Sequence, residues 1–304
     1  MMRPKLTKEE LSQLTLKSNL NAFSDVLVHV ALLVFTGWLF QTAWHEGMII
    51  HKFAAWLVYS GAFCFLGHYG LAHALSHRSV FTANDTNDQL YWVVSVLTWN
   101  NAFYFRAGHQ IHHHKSIEED PQINLTKKKD SLKTNWWKLV LFDYQHFYQA
   151  VRTTLLTALD LPGKQSPPPG IALNHEEKQQ AIVFTRAILG FHVIVFIYAL
   201  SNQLYWLIFL INLGAFGFTL PNRILAHLHQ ESTKGYTPAP IVIGRTILLP
   251  RWLAFLSWNM NYQIEHHWYP SVPYNKLPEL HLRVCEYTKH STLKGITAAV
   301  HALK

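Results

Sequence analysis

The chain has 304 residues, with 26 Lys and Arg against 18 Asp and Glu, a formal charge of +8 and a mean hydropathy of +0.04. Two cysteines, Cys64 and Cys285, exclude a disulfide framework and a zinc site of paired thiolates. The excess of positive charge comes with no basic helix and no aromatic platform, which excludes nucleic acid as its partner.

Apolar residues arrive in blocks. No Asp, Glu, Lys or Arg lies between Lys52 and Arg78, nor between Arg186 and Arg223, and each gap is long enough to cross a bilayer. The opening residues are charged and polar, which predicts a cytosolic N-terminal segment over 1–25 and no cleavable signal. From residue 26 to 304 we expect one membrane domain. Its spans fall at about 26–44 and 53–73, then 181–200 and 204–220, so the fold class is an all-α integral membrane protein with four transmembrane helices in two hairpins. The polar Ser201-Asn202-Gln203 triplet closes the second hairpin. A soluble helical protein is the competing reading, but it would have to cover the uncharged stretch 187–222 by packing alone.

Between the hairpins, 89–105 is rich in aromatic residues, and Trp99-Asn100-Asn101 at its centre is costly in hydrocarbon. A helix lying at the interface is expected there, and another over 247–260. Pro167-Pro168-Pro169-Gly170 makes 161–178 a linker. The basic residues cluster before Val26, between Arg78 and Arg186, and after Arg223. Four spans put these three regions on one side, which the positive-inside bias makes cytosolic, next to anionic headgroups.

There are twenty histidines, and their spacing is more telling than their number. His73 and His77 stand at i and i+4. His109, His112 and His113 stand at i, i+3 and i+4, and Gln263, His266 and His267 repeat that spacing with Gln first. On a helix each set faces one way, and all fall on the predicted cytosolic side. For His29, His45, His51, His146, His175, His192, His290 and His301 an interfacial or hydrogen-bonded imidazole is the expected role. Imidazole alone suits zinc, copper, iron or nickel. A zinc hydrolase needs a pocket open to water, whereas these ligands lie at the membrane surface, where oxidation of an apolar chain calls for activated oxygen. Haem would need only two axial histidines.

His73-x-x-x-His77, His109-x-x-His112-His113 and Gln263-x-x-His266-His267 resemble the three histidine boxes of the membrane fatty acid desaturase superfamily, which includes hydroxylases and carotenoid oxygenases. Residues 261–281, with the Pro270-Ser271-Val272-Pro273 turn, are similar to its C-terminal signature, and Asp120-Pro121 resembles the pair after the second box. The resemblance implies a cytosolic helical cap holding two ferrous irons on His73, His77, His109, His112, His113, His266 and His267. Ala226-His227 is similar to an extra ligand after the last span. His229 is its rival, since the two cannot both face inward. Gln263 is then a weak ligand or a hydrogen-bond partner of one, and Asp120 and Glu265 are candidates to orient imidazoles. His68 and His114 adjoin the boxes without fitting them.

The resemblance also implies O2 as oxidant and a lipid or acyl substrate arriving from the bilayer. A fused haem domain's His-Pro-Gly-Gly is absent, so electrons are expected from a separate ferredoxin or cytochrome b5 type donor. The product is an alkene, or an alcohol if a hydroxylase or ketolase of a carotenoid or other lipid is the closer parallel. A membrane metal-binding or transport protein is the distant alternative, and it would place its ligands near the midplane. An apolar tunnel between the second and fourth spans is expected, which Gly217→Trp should block.

Overall fold

The computed structural model describes residues 3–114, 140–161, 173–231 and 245–295, with positions 171 and 298. Thr7 and Glu10 form a capping box that opens a short helix, α1 (Lys8–Leu14), whose last residue is fully buried. Ser18 then accepts from the Asn21 amide and opens α2 (Asn19–Glu46), which ends at Gly47. The chain turns at once into α3 (Ile49–Phe63), which packs back along α2. Gly37 on α2 faces the Tyr59 ring of α3.

A 3-10 turn at Cys64–Leu66 leads to α4 (Leu71–Ser76). Gly70 is required at that junction, because a Cβ there would overlap the Phe65 carbonyl. Among the described residues three runs are long and apolar enough to cross a membrane: Asn19–Glu46, Ile49–Ser76 and His175–Ser201. Their outward faces fit lipid better than water, with Leu27, Val34, Phe35 and Trp38 on α2 and Val183, Ile194 and Ile197 on the third run all more than half exposed.

The stretch 89–105 is two helices rather than one. They are α5 (Asn84–Leu97) and α6 (Ala102–His114), and Trp99-Asn100-Asn101 is the turn between them. The polar residues that looked costly in hydrocarbon satisfy the backbone there. Asn101 Oδ1 accepts from the Phe103 and Tyr104 amides and so caps α6, while its Nδ2 donates to the Ala181 carbonyl and to Thr185 Oγ1. The Trp99 ring stacks on His192 at 3.8 Å between centroids and donates to the Asn212 carbonyl.

After α7 (Tyr144–Ala158), helix α8 (His175–Ser201) opens with a capping box of Asn174 and Glu177, inside the stretch expected as linker; 162–170 lie outside the described residues. The segment expected as a fourth uniform span is irregular. It runs as one α turn at Tyr205–Leu207, a π turn at Ile208–Asn212 and a 3-10 turn at Gly214–Phe216 before α9 (Leu220–Glu231). Contact with α3 explains the irregularity. A Cβ on Gly214 would meet Tyr59 at 3.0 Å, and one on Gly217 would stand 2.1 Å from Ser60 Oγ, so backbone and helix meet through small residues. Gly217 is therefore a packing contact, so Gly217→Trp would disturb the seat of this segment on α3 and is no clean block of a tunnel.

One further expectation is corrected. The stretch 247–260 is not one interfacial helix, and the mostly helical fold includes two short strands. Strand β1 (Thr246–Leu248) pairs in parallel with β2 (Thr292–Lys294) in the register Thr246 to Thr292, and helix α10 (Arg251–Leu256) follows β1. Two more helices follow, α11 (Gln263–Trp268) and α12 (Leu277–Thr288).

Candidate metal centre

Each histidine pair sits on a short helix whose orientation is fixed by contacts outside it. Helix α4 carries His73 and ends at His77, after which Arg78 turns the chain with φ of 52°. The Arg78 guanidinium bonds both oxygens of Asp88 on α5, at 3.1 and 2.7 Å. Arg106, one turn before His109 on α6, donates to Asp88 at 2.6 Å and to the Ser76 carbonyl at 3.2 Å. One carboxylate therefore ties the first histidine pair to the second. The third set is held by β1: Asn261 Nδ2 donates to the Ile247 carbonyl at 2.7 Å, and the Ile247 amide donates back to Asn261.

The result is convergence. His73, His77, His109, His113 and His266 each bring one ring nitrogen into a group within 4.8 Å of one another. His73 Nε2 lies 2.9 Å from His266 Nε2, His77 Nε2 lies 2.8 Å from His109 Nε2, and His113 Nε2 lies 3.0 Å from His109 Nε2. His112 and His267 adjoin the group, with ring centroids 4.9 Å apart, and His267 lies 4.6 Å from His113. Burial, followed by repulsion from His73, His77 and His113, holds His109 well below the usual histidine pKa. Burial, followed by repulsion from His77 and His73, does the same for His266.

The donor set fits a metal. A carbonyl only accepts, so His73 Nδ1, 2.8 Å from the His68 carbonyl, must carry the ring hydrogen, and Nε2 presents a bare lone pair to the centre. Gln263, one turn before His266 on α11, is buried, and neither of its amide atoms has a hydrogen-bond partner among the described residues. Buried neutral imidazoles and an unpartnered amide in one place are what a cation would satisfy.

The other expected residues are placed unevenly. His227 and His229 belong to helix Leu220–Glu231, but their side chains lie outside the described residues, as does all of Asp120. Glu265 bonds His281 Nδ1 at 2.6 Å and Thr246 Oγ1. His68 stacks on Phe105 at 4.0 Å, and His114 closes α6. His29 and His192 are hydrogen-bonded core imidazoles, as expected: His29 bonds the Ala62 carbonyl and Trp258, and His192 bonds the Val96 carbonyl. Sequence reasoning missed Arg78, Asp88, Arg106, Thr246 and His281. Only His281 left a trace, as the last residue of the 261–281 signature.

An apolar groove of about 450 Å³ lies between α2, α3, α9 and α10. Its lining includes Phe65 and Leu225, which precede His68 and His227 on their segments, and Ile247, which itself bonds Asn261.

Three membrane-length apolar runs, one of which ends in the helix that carries His73, and imidazoles from three helices gathered at one point define a class, that of mostly helical proteins with apolar spans and a histidine cluster that could hold a metal. The fatty acid desaturase family model matches residues 51–293, and the chain belongs to that family. No curated protein matches the chain. Family and cluster together support oxidation as the general chemistry.

Proposed function

We propose that the protein is an integral membrane enzyme that desaturates a fatty acyl chain with O2, using two irons held by the convergent histidines. The observation that carries this reading is the group of five imidazole nitrogens at the end of a membrane-length run. The balance is simple. The chain loses two hydrogens from adjacent carbons, O2 is reduced to two waters, and the remaining two electrons and two protons come from a separate donor of ferredoxin or cytochrome b5 type. The irons, when bound, supply the activation of O2.

This chain's own residues bind, aim and exclude water. His73, His77, His109, His113 and His266 would hold metal, with His112, His267 and His227 completing the set and Gln263 bonding a ligand. His68 fixes the tautomer of His73 through its carbonyl. The Arg78, Asp88 and Arg106 network holds the first two pairs in register. The apolar groove offers an acyl chain a route from the bilayer, with its headgroup left at the basic surface. In this reading 204–220 crosses the membrane as a fourth, irregular span. The N-terminus, the histidine pairs and the C-terminus then face the cytosol, and 201–203 face the opposite side.

Expression in a host with a defined lipid profile, together with an electron donor, tests the proposal. New unsaturated acyl chains are expected, and His266→Ala should abolish them. Hydroxylated lipid in their place would replace desaturation with hydroxylation.

A further inference from the structure

Helix α11 has six residues, too few for its own hydrogen bonds to fix how it is turned about its axis. Yet its rotation decides whether His266 and His267 meet the imidazoles of α4 and α6. The one carboxylate on this helix, Glu265, is completely buried, where a charge is costly unless it is held on both oxygens. Thr246 Oγ1 on β1 donates to Oε2, and His281 Nδ1 on α12 donates to Oε1 at 2.6 Å.

The two partners differ in reach. Thr246 belongs to a strand already bonded to Asn261, so it adds to a contact that exists. His281 adds to the packing of α11 on α12 a directed side-chain bond to a separate platform. Leu277, Leu280 and Val284 of α12 are fully buried, and Tyr274, just before that helix, donates to Asp25 on α2 at 2.6 Å.

We propose that His281 is a positioning residue for the third histidine pair, acting through Glu265 to set the rotation of α11. The inference rests on the metal-centre reading above. Loss of an orienting hydrogen bond made directly to a ligand weakens metal affinity by about 10-fold to 100-fold, and this range bounds the effect expected here, where His281 acts through Glu265.

The side chain's geometry supplies the test. An asparagine amide nitrogen takes the place of a histidine Nδ1, a glutamine nitrogen takes the place of Nε2, and leucine fills the space with no donor. Full-length protein in detergent is titrated with Fe(II) or Co(II) against a chelator, and the Co(II) absorption spectrum is recorded. H281N should keep affinity near the parent and preserve the Co(II) spectrum. H281Q and H281L should each lose affinity within that bound and change the spectrum, with thermal midpoints close to that of H281N. Equal affinities and spectra for all three would overturn the proposal and leave His281 as packing. A general loss in all three, with collapsed thermal midpoints, would also overturn it. Absence of metal binding by the parent protein would instead sink the metal-centre reading itself, a distinct outcome.

Discussion

His73 gives its one ring hydrogen to the His68 carbonyl, and that bond decides which nitrogen faces the centre. The spacing of the histidines announced that they would share a face, because i, i+3 and i+4 positions on a helix do so whatever surrounds them. The sequence could not announce what stands behind them. Glu265 and His281 are far apart along a helix-turn-helix path, and only packing shows that their side chains meet.

The same burial makes a prediction about pH. An unfolded histidine takes up its proton near pH ~6.5, whereas His109 and His266 in the folded, metal-free centre are held well below that by burial and then by neighbouring imidazoles. Below pH ~6.5 the unfolded state therefore binds more protons than the folded one, and stability falls as pH falls. Both histidines steepen that fall, and neither adds to it well above pH ~6.5, where both states are deprotonated. Thermal unfolding of the metal-free protein between pH 8 and 5 checks this. A midpoint that holds or rises on acidification would contradict it.

At the scale of elements, hydropathy located the three long runs well, because lipid exposure is a property of composition. The region 204–220 was legible as apolar but not as irregular. Its π and 3-10 turns follow from the close approach of Gly214 and Gly217 to Tyr59 and Ser60, a contact between segments distant in sequence. The same contact yields a packing prediction. An added Cβ at position 217 would lie 2.1 Å from Ser60 Oγ and 2.5 Å from Ser60 Cβ, so Gly217→Ala should destabilise by about 1–3 kcal/mol through overpacking. Ser60→Gly in the same chain should recover most of the loss. Equal thermal midpoints for Gly217→Ala and the parent would show that the two segments are not in contact.

The turn at 99–101 was misread for a similar reason. Asparagines inside an apolar stretch look like a cost until their partners are known, and here they cap one helix and bond another. Asp88 drew no reading because an acidic residue on an amphipathic helix, here one turn after Asp85, is ordinarily a solvated one; two arginines beside histidines turn it into a tie.

For the molecule as a whole, the groove relates chemistry to membrane. If an acyl chain reaches the centre through the space between α2, α3, α9 and α10, filling that space should change which chains are accepted without touching the metal. Leu253→Trp places a large ring in the groove wall from α10, outside the three histidine sets. It should shorten the preferred chain or abolish turnover while bound metal is unchanged. Unaltered chain preference at full activity would assign the groove to structural lipid instead.

The whole account turns on what the convergent imidazoles hold. The most direct measurement is the metal content of protein purified after aerobic, iron-replete expression, with His266→Ala as the control that still inserts in the membrane. The account predicts close to two irons per chain in the parent and a clear loss in the variant. Stoichiometric zinc with no iron, or metal content unchanged by His266→Ala, would contradict it.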